Sequence, residues 1–375
     1  MSKKVLYVAT VLSHICQFHL PYLKRFKDKG YEVHVAAHDN LSEKNNLQLK
    51  NADSFFEIPF QRSPFSIKNI SAYKQLKKII DREGYDIIVC NTPVGGIVTR
   101  LAAQKSRKSG TKVVYIAHGF HFYKGAPKKN WLIYYPIEKL FAKKCDLLIT
   151  INEEDYLLAK SKFNVRVEHI HGIGVDEDRY FPVDKQTKQL KREEMGYGVD
   201  DFIVLVVGEL LKNKNQIQVI KAVEECIKTN PRVKLLIAGN GKNRSFLEKY
   251  IEEHNLNDNI EFLGYCTNLE KYQQIVDLGV SCSIREGLGL NVIEAIMSGN
   301  TFIATKNRGH SELIKDGENG YLVDVGDHIG LSNKIECLMN NQGVKDSLEE
   351  IAKVKITPYK LSSVMVEFEQ IFDTL

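Results

Sequence analysis

The sequence has no apolar run long enough to span a bilayer, which needs about 18–20 such residues. It opens with MSKKVLYVAT, which enters a strand-like run directly and has no apolar segment of the signal-peptide type. The seven cysteines are odd in number, and no pair is spaced CxxC. We therefore expect reduced, buried thiols, a cytoplasmic protein and no zinc site.

Signatures of several other protein classes are also missing. No GxGxxG follows an early strand, which argues against a nicotinamide-dependent dehydrogenase. The chain has no short repeat, no low-complexity segment and no nucleic-acid recognition motif. Without such a motif we expect no nucleic-acid partner. A length of 375 residues with 43% hydrophobic content predicts two ordinary globular domains.

The net charge of +5 conceals an asymmetry between the two halves. Residues 1–180 hold 29 Lys and Arg against 18 Asp and Glu, a net charge of +11, whereas 181–375 hold 23 against 29, a net charge of −6. The basic half favours an anionic partner such as a phosphate or a lipid surface. A solvated, solubilising face is an equally good explanation.

Short apolar runs alternate with amphipathic helical stretches, which predicts βαβ units and doubly wound parallel sheets. The predicted strands are VLYVAT (5–10), EVHVAA (32–37), DIIVC (86–90), KVVYIAH (112–118), DLLITI (146–151), VEHIHG (167–172), FIVLVVG (202–208), VKLLIAG (233–239), IEFLG (260–264), LGVSCSI (278–284), TFIATK (301–306) and GYLV (320–323).

A polar stretch interrupts this rhythm and divides the chain. We predict an α/β domain over 1–175, a linker over 176–200, a second α/β domain over 201–355 and a final helical segment over 356–375. Ligands of doubly wound sheets bind at the carboxyl ends of the strands, so candidate residues should directly follow a strand.

The segment SIREGLGLNVIEAIMSG (283–299) meets that condition best. Glu286 lies in a glycine-containing loop after a strand, and Glu294 lies in a helix that starts near Gly289–Asn291. The free N–H groups of the helix start favour an anion between the two carboxylates. A nucleotide sugar fits this arrangement, although an ordinary amphipathic helix with solvated glutamates would have the same spacing.

Glu286-x7-Glu294 resembles the E-x7-E motif of the retaining GT-B glycosyltransferases of family 4. Further blocks match that family in the same order along nearly the whole chain: GIGVDEDRYFP (172–182), VVGELLKNKN (206–215), IAGNG (237–241), FLGY (262–265) and RGHSELIKDGENGYLV (308–323). The first half resembles bacterial capsule and exopolysaccharide members. The resemblance implies two facing Rossmann-like domains with a cleft between them.

The resemblance also implies roles for the residues of this segment. Glu286 would orient the donor sugar and stabilise positive charge at the anomeric carbon, and Glu294 would bind the ribose hydroxyls. The backbone between them would approach the diphosphate and the sugar, which involves Gly287, Leu288, Gly289 and Leu290.

VVGELLKNKN carries the cations expected beside the leaving diphosphate. Lys214 matches the family lysine, which would neutralise charge that builds up in the transition state. The family arginine that follows the glycine is replaced by Glu209, which is a departure from the pattern. Two explanations stay open: either Lys212 supplies the missing charge, or diphosphate binding rests on Lys214 and the backbone.

In the first half, His118 matches a family histidine that contacts the donor sugar. His121 follows three residues later, but HxxH in a loop is weak evidence for a metal. Ser13 and His14 lie after the first strand, where the family has a Gly-Gly loop under the donor phosphate; this chain has no glycine there.

Two further acidic features of the sequence are relevant to the site. Glu312 matches a family acidic position near the cleft, and a structural role is equally compatible with it. The DED at 176–178 superficially resembles a DxD metal motif, but it falls within a match to the linker. We expect no metal and no cofactor other than the nucleotide-sugar substrate.

The stretch FYKGAPKKNWLIYYPIEKLFAKK (122–144) is basic and aromatic. Lysines beside Trp131 and Tyr134 favour a membrane interface or a lipid-linked acceptor. The spacing of Trp131, Tyr134, Ile137 and Leu140 is also that of a helix face packed inward.

These observations predict a glycosyltransferase that moves a hexosyl or N-acetylhexosaminyl group from a nucleoside diphosphate sugar, with UDP preferred, to a lipid-linked or glycan acceptor of a cell-surface polysaccharide. Peripheral contact with the inner face of the cytoplasmic membrane is expected. Two alternatives remain: a sugar-nucleotide epimerase of the same fold, and a catalytically silent partner subunit, which the replacement by Glu209 favours.

Overall fold

The computed structural model describes residues 2–43 and 47–375, and it consists of two compact units. Unit 1 holds the chain up to Ile173 together with Met365–Leu375, and unit 2 holds Gly174–Val364. The stretch 176–200, predicted as a linker, therefore lies within unit 2.

Unit 1 is built on a seven-stranded parallel sheet of order β3-β2-β1-β4-β5-β6-β7. Its strands are β1 Lys4–Val11, β2 Glu32–His38, β3 Ser54–Glu57, β4 Ile87–Asn91, β5 Lys112–Ala117, β6 Leu147–Thr150 and β7 Arg166–His169. The helices that connect them are α1 Leu12–Phe18, α2 Leu20–Asp28, α3 Lys68–Glu83, α4 Pro93–Ala102, α5 Gln104–Lys108, α6 Lys128–Ala142 and α7 Glu153–Lys162.

Unit 2 is built on a six-stranded parallel sheet of order β10-β9-β8-β11-β12-β13. Its strands are β8 Phe202–Val207, β9 Val233–Ala238, β10 Ile260–Gly264, β11 Leu278–Ser281, β12 Thr301–Thr305 and β13 Tyr321–Val323. The remaining helices are α8 Lys185–Glu194, α9 Gln216–Thr229, α10 Arg244–Glu253, α11 Leu269–Gln273, α12 Leu290–Met297, α13 Arg308–Leu313, α14 His328–Asn340, α15 Gln342–Lys355 and α16 Leu361–Asp373.

The central strands are buried on both faces, as the β-branched runs predict. All five residues of β4 and all five of β12 are buried, and the apolar side chains of each sheet form the core of its unit. The sequence analysis missed β3, because this four-residue edge strand is only partly buried and its SFFE pattern is too short to be periodic.

A buried ion pair crosses the core of unit 1. Arg100 of α4 is fully buried, and its Nη2 lies 3.0 Å from Oε2 of Glu138 in α6. The guanidinium also lies 3.9 Å from the ring centroid of Tyr115, whose hydroxyl is 3.3 Å from the other Glu138 oxygen. The pair therefore fixes α4, α6 and β5 to one another.

The second part of α16 packs into unit 1. Phe368 is buried against the rings of Tyr22 and Phe26, at centroid distances of 4.7 and 6.1 Å. Glu367 accepts hydrogen bonds from both the backbone N–H and Nδ1 of His171, at 3.0 and 2.6 Å. Residues 365–375 are thus an integral part of the unit 1 core.

Within the described ranges 2–43 and 47–375, no helix combines the length and apolar character needed to cross a membrane.

Candidate active site

The candidate site of unit 2 forms where β8 and β11 end. The loop after β8 carries Lys214, and the loop after β11 carries Glu286. Nζ of Lys214 lies 2.5 Å from Oε1 of Glu286, and both side chains remain partly accessible. The sequence predicted both residues as substrate ligands, and the structure brings them into direct contact.

One backbone and one side-chain hydrogen bond hold these two loops together. The N–H of Ile284 donates to the carbonyl of Asn213 at 2.8 Å, and Nδ2 of Asn213 donates to the carbonyl of Arg285 at 3.0 Å. The loops therefore present Lys214 and Glu286 as one preorganised pair.

The backbone beyond Glu286 packs against α13. A Cβ atom on Gly309 would lie 2.9 Å from Cβ of Glu286 and 3.1 Å from its carbonyl oxygen. A side chain at Gly309 would therefore displace the Glu286 loop, since real Cβ contacts are longer than this.

His310 is a site residue that the sequence analysis missed. It is fully buried, and its Nδ1 donates to the carbonyl of Thr305 at 2.8 Å, while Nε2 has no hydrogen-bond partner within the described ranges. Burial lowers the pKa of His310, with Lys214 acting in the same direction and Glu286 opposing it. The neutral ring therefore carries its lone pair on Nε2, where it can accept a hydrogen bond. The signal in the sequence was a histidine a few residues after the strand TFIATK, inside RGHSELI.

The start of α12 is open to an anion. Gly289 stands at the N-cap, no side chain of the described chain caps the helix, and its first turn carries no acidic residue. The first N–H groups therefore contribute partial positive charge next to the Glu286 loop. Leu288 and Gly289 are buried, whereas Gly287 and Leu290 are partly accessible.

Glu294 lies further along α12 in a second polar cluster. Tyr180 hydrogen-bonds to the Glu294 carboxylate, and Arg179 beside it forms an ion pair of 2.7 Å with Glu270. Burial raises the pKa of Glu294 to about 7, although Arg179 and Tyr180 oppose the shift. The Glu294 carboxyl group therefore changes its protonation state near neutral pH. Its hydroxyl partner, Tyr180, belongs to the block GIGVDEDRYFP that matched the family.

The remaining candidates of unit 2 are Glu209, Lys212 and Glu312. Glu209 and Lys212 are exposed, and the backbone carbonyl of Glu209 accepts a hydrogen bond of 3.1 Å from Gln216. Glu312, in α13, accepts a 3.5 Å hydrogen bond from the Tyr359 hydroxyl.

The unit 1 candidates follow β1 and β5. Ser13 is buried and bonded twice to the side chain of Asn40. The Ser13 N–H donates to Oδ1 of Asn40, and the Ser13 hydroxyl accepts from Nδ2 of Asn40, both at 3.0 Å. His14 and His118 face each other, with their Nε2 atoms 3.3 Å apart. Nε2 of His118 is also 3.2 Å from Oδ1 of Asn91.

Next to these residues, unit 1 contains a mostly apolar cavity of about 360 Å³. It opens between the ends of β1, β4 and β5 and the helix α6, and its lining includes Phe65, Ile133, Tyr134 and Ile137. Trp131 points into the unit instead: its ring packs on Phe122 at 5.5 Å, and Nε1 donates to the Tyr123 carbonyl.

Comparisons with known proteins agree with this architecture. Residues 187–355 match the model of the glycosyl transferases group 1, and residues 4–152 match that of the glycosyl transferase 4-like family. The chain is 47% identical over 340 residues to a protein of Bacillus subtilis named as the glycosyltransferase EpsD, covering 90% of this chain and 88% of that one. The chain belongs to the group 1 glycosyl transferases.

A second sequence relative and a crystal structure are also similar to this chain. An Escherichia coli enzyme named UDP-Gal:alpha-D-GlcNAc-diphosphoundecaprenol alpha-1,3-galactosyltransferase is 29% identical over 281 residues, covering 73% of this chain and 71% of that one. The crystal structure of Anabaena HepE in complex with UDP and glucose superposes with a TM-score of 0.80 over 100% of both chains, at 18% identity. The predicted α/β architecture of the GT-B type, with two parallel-sheet domains, is confirmed.

Proposed function

We propose that this glycosyltransferase is a retaining enzyme that transfers a sugar from a nucleoside diphosphate donor, UDP-sugar by preference, to a lipid-linked or glycan acceptor of a cell-surface polysaccharide. The observation that carries the proposal is the contact of Lys214 with Glu286 next to the open start of α12. A cation, a carboxylate and free N–H groups at one place suit a sugar joined to a diphosphate.

The donor would use each of these groups separately. Lys214 and the first N–H groups of α12 bind the diphosphate, and the backbone of 287–290 lines it. Glu286 orients the sugar and stabilises the oxocarbenium-like centre. Glu294 accepts the ribose hydroxyls. Because these fixed charges neutralise the leaving diphosphate, donor binding requires no metal and no further cofactor.

The choice of UDP rests on relatives. The Escherichia coli relative carries UDP-Gal in its name, and HepE was crystallised with UDP and glucose. Retention would follow from attack on the face that the diphosphate leaves, with the diphosphate accepting the acceptor proton.

Unit 1 supports an acceptor with an apolar part. The cavity beside α6 is mostly apolar, and exposed Leu132, Ile133 and Leu140 lie on that helix among lysines. Apolar side chains with neighbouring lysines suit the surface of an anionic membrane, so we include peripheral contact with the cytoplasmic membrane in the proposal. The name of the Escherichia coli relative contains a diphosphoundecaprenol acceptor, which is of this chemistry.

His118 is proposed to contact the donor sugar, as the family resemblance implies. Ser13 and His14 are weaker candidates for the donor phosphate, because the Ser13 N–H is already bonded to Asn40. Any contribution there would come from neighbouring backbone.

Calorimetric titration with UDP, GDP, CDP and NAD, first with chelator and then with magnesium, tests the donor half of the proposal. We expect UDP to bind without metal and Lys214→Ala to weaken that binding. Conversion of a UDP-sugar only when a lipid-linked acceptor is present would support transfer. Conversion without acceptor would identify an epimerase, and no binding of any nucleotide would identify a silent partner subunit.

A further inference from the structure

Polar side chains in the lining of the unit 1 cavity are hydrogen-bonded to one another. The hydroxyls of Thr10 and Thr92 are 2.7 Å apart. Glu138 also lines the cavity, and its two carboxylate oxygens lie 3.0 Å from Nη2 of Arg100 and 3.3 Å from the hydroxyl of Tyr115. A sugar would need polar groups that are free to bind its hydroxyls, so this lining suits a hydrocarbon chain better.

The two imidazoles in the lining also have neighbours of their own. Nε2 of His14 faces Nε2 of His118 at 3.3 Å, and burial lowers the pKa of His14 to about 4, so this ring is uncharged at pH 7. The His121 ring packs on Tyr134 with a centroid distance of 4.8 Å. His14 therefore adds no charge to the cavity.

Arg62 gives the cavity a positive charge at its exposed rim. It lies in the loop between β3 and α3, it is exposed, and within the described ranges it is the only lysine or arginine in the lining. Asn69 fixes this loop, because its side chain accepts from the Gln61 N–H and donates to the Ser63 carbonyl, both at 2.9 Å. A guanidinium can bind two phosphate oxygens at once, so this position suits a phosphate group.

Apolar side chains extend from the cavity to the surface beside this charge. Phe65, in the same loop as Arg62, and Ile133 of α6 both line the cavity, and they are 85% and 43% exposed. Ile67 and Leu132, close to them in the chain, are 80% and 77% exposed. A hydrocarbon cavity with an apolar rim and one cation fits a lipid that ends in a phosphate.

We propose that the cavity binds the first isoprene units of a polyprenyl diphosphate acceptor, and that Arg62 binds its diphosphate. This inference rests on the glycosyltransferase function proposed above and names the class of its acceptor. A cavity of about 150 Å³ can hold a benzene molecule. The cavity of about 360 Å³ therefore accommodates a short part of one chain and excludes the paired acyl chains of a phospholipid.

Calorimetric titration of the full chain with farnesyl diphosphate, which has three isoprene units, tests the proposal. Saturating UDP is present, and the titration is repeated with Lys214→Ala, so that the donor site does not contribute. We expect one farnesyl diphosphate per chain, bound at least about 10-fold more tightly than inorganic diphosphate, because its chain buries apolar surface.

Two variants separate the head of the lipid from its chain. Arg62→Gln should weaken farnesyl diphosphate at least about 10-fold by removing a charged hydrogen-bond donor. Ile133→Asn should weaken it by a similar factor but leave inorganic diphosphate unchanged. Arg82→Gln and Leu157→Asn are the matched controls, since both residues are exposed in unit 1 and outside the cavity lining; they should bind as the wild type does.

Three results would overturn the proposal: no binding of farnesyl diphosphate, unchanged binding in Arg62→Gln, or equal affinity for dihexanoyl phosphatidic acid, which has two chains. Arg62 and Ile133 are exposed, so both variants should fold, and thermal melts verify this. A chain that binds farnesyl diphosphate but no nucleotide would contradict the donor assignment alone. A chain that binds UDP but no farnesyl diphosphate would contradict this inference alone.

Discussion

Lys214 and Glu286 form an ion pair of 2.5 Å across the ends of two neighbouring strands of unit 2. The lysine therefore has two functions in the proposed reaction: it attracts the diphosphate, and it fixes the carboxylate that faces the sugar. The two side chains are ordered by each other before the donor arrives, which lowers the entropic cost of assembling the site.

Replacing Glu286 should separate binding from chemistry. Glu286→Gln keeps the shape of the side chain but removes the charge that stabilises an oxocarbenium-like centre. We expect turnover to fall by at least about 100-fold, while affinity for UDP stays within several-fold. Steady-state kinetics and calorimetry measure the two effects. The exposed Glu253→Gln is the control, and near-normal turnover of Glu286→Gln would remove this residue from the chemistry.

Removing Lys214 should act on the diphosphate specifically. Lys214→Ala deletes a charged donor and leaves Glu286 unpaired close to the ligand. Affinity for UDP should fall at least about 10-fold, whereas weak binding of uridine, which has no phosphate, should not change. Lys212→Ala in parallel shows whether the exposed neighbour contributes. Unchanged UDP affinity in Lys214→Ala would contradict the assignment.

Glu294 should make donor binding depend on pH near neutrality. Its pKa is raised to about 7 by burial, and the ionised form accepts ribose hydroxyls better. UDP affinity should therefore rise as pH increases through about 7, by up to about tenfold per pH unit on the acid side, with proton release on binding. Calorimetry at pH 6.5 in two buffers of different ionisation enthalpy measures that release. Glu294→Gln should flatten the profile; a persistent slope in this variant would point to another group.

The same raised pKa should lower the stability of the ligand-free chain as pH increases. The folded state holds its proton on Glu294 more tightly than the unfolded state, whose value is near 4.5. The contribution is complete below the unfolded pKa and is lost as pH rises through about 7. Thermal melts of wild type and Glu294→Gln across that range should converge at low pH, and parallel curves would contradict the shift.

Gly309→Ala should impair catalysis without removing any functional group. Its methyl would lie 2.9 Å from Cβ of Glu286, so the loop must shift. Displacements of about 1 Å can cost about 100-fold in rate, and we expect a loss of at least about 10-fold in turnover with little change in thermal stability. Gly343→Ala, where a Cβ meets nothing within 4 Å, is the matched control.

The Arg100–Glu138 pair should contribute strongly to the stability of unit 1. Glu138→Gln leaves a buried guanidinium without its counter-ion, which costs about 3 kcal/mol. Trp131 is the only tryptophan and lies in unit 1, so its fluorescence follows this unit alone during urea unfolding. If the free energy of unfolding falls by less than about 1 kcal/mol, other interactions of the Arg100 guanidinium compensate for the lost carboxylate.

Sequence reasoning recovered the parallel sheets because β-branched runs buried on both faces carry a strong local signal. It also singled out Lys214 and Glu286, which the structure brings into contact, because each follows a strand within a recognisable block. The roles of these residues and of Glu294, inside α12, stay predictions. It missed His310 because the residue of RGHSELI that matches an acidic family position is Glu312, two residues later. Its functional signal is an unpaired Nε2, which only the fold defines.

The contact between two histidines of unit 1 shows where sequence information ends. His14 and His118 are 104 positions apart, and their contact depends on the sheet order that makes β1 and β5 both neighbours of β4. HxxH was the visible pattern, but the His121 ring packs on Tyr134, and His118 instead contacts His14 from a separate segment. Such a contact has no spacing that a reader of one sequence could recognise.

Phe368 completes the core around Tyr22 and Phe26, although more than 300 residues separate it from them in the chain. During synthesis on the ribosome, unit 1 must therefore wait with this apolar surface uncovered until unit 2 has been translated. Chaperones that bind nascent chains would therefore cover this surface until translation ends. A ribosome that stalls before residues 365–375 would leave unit 1, which is made first, without its complete core.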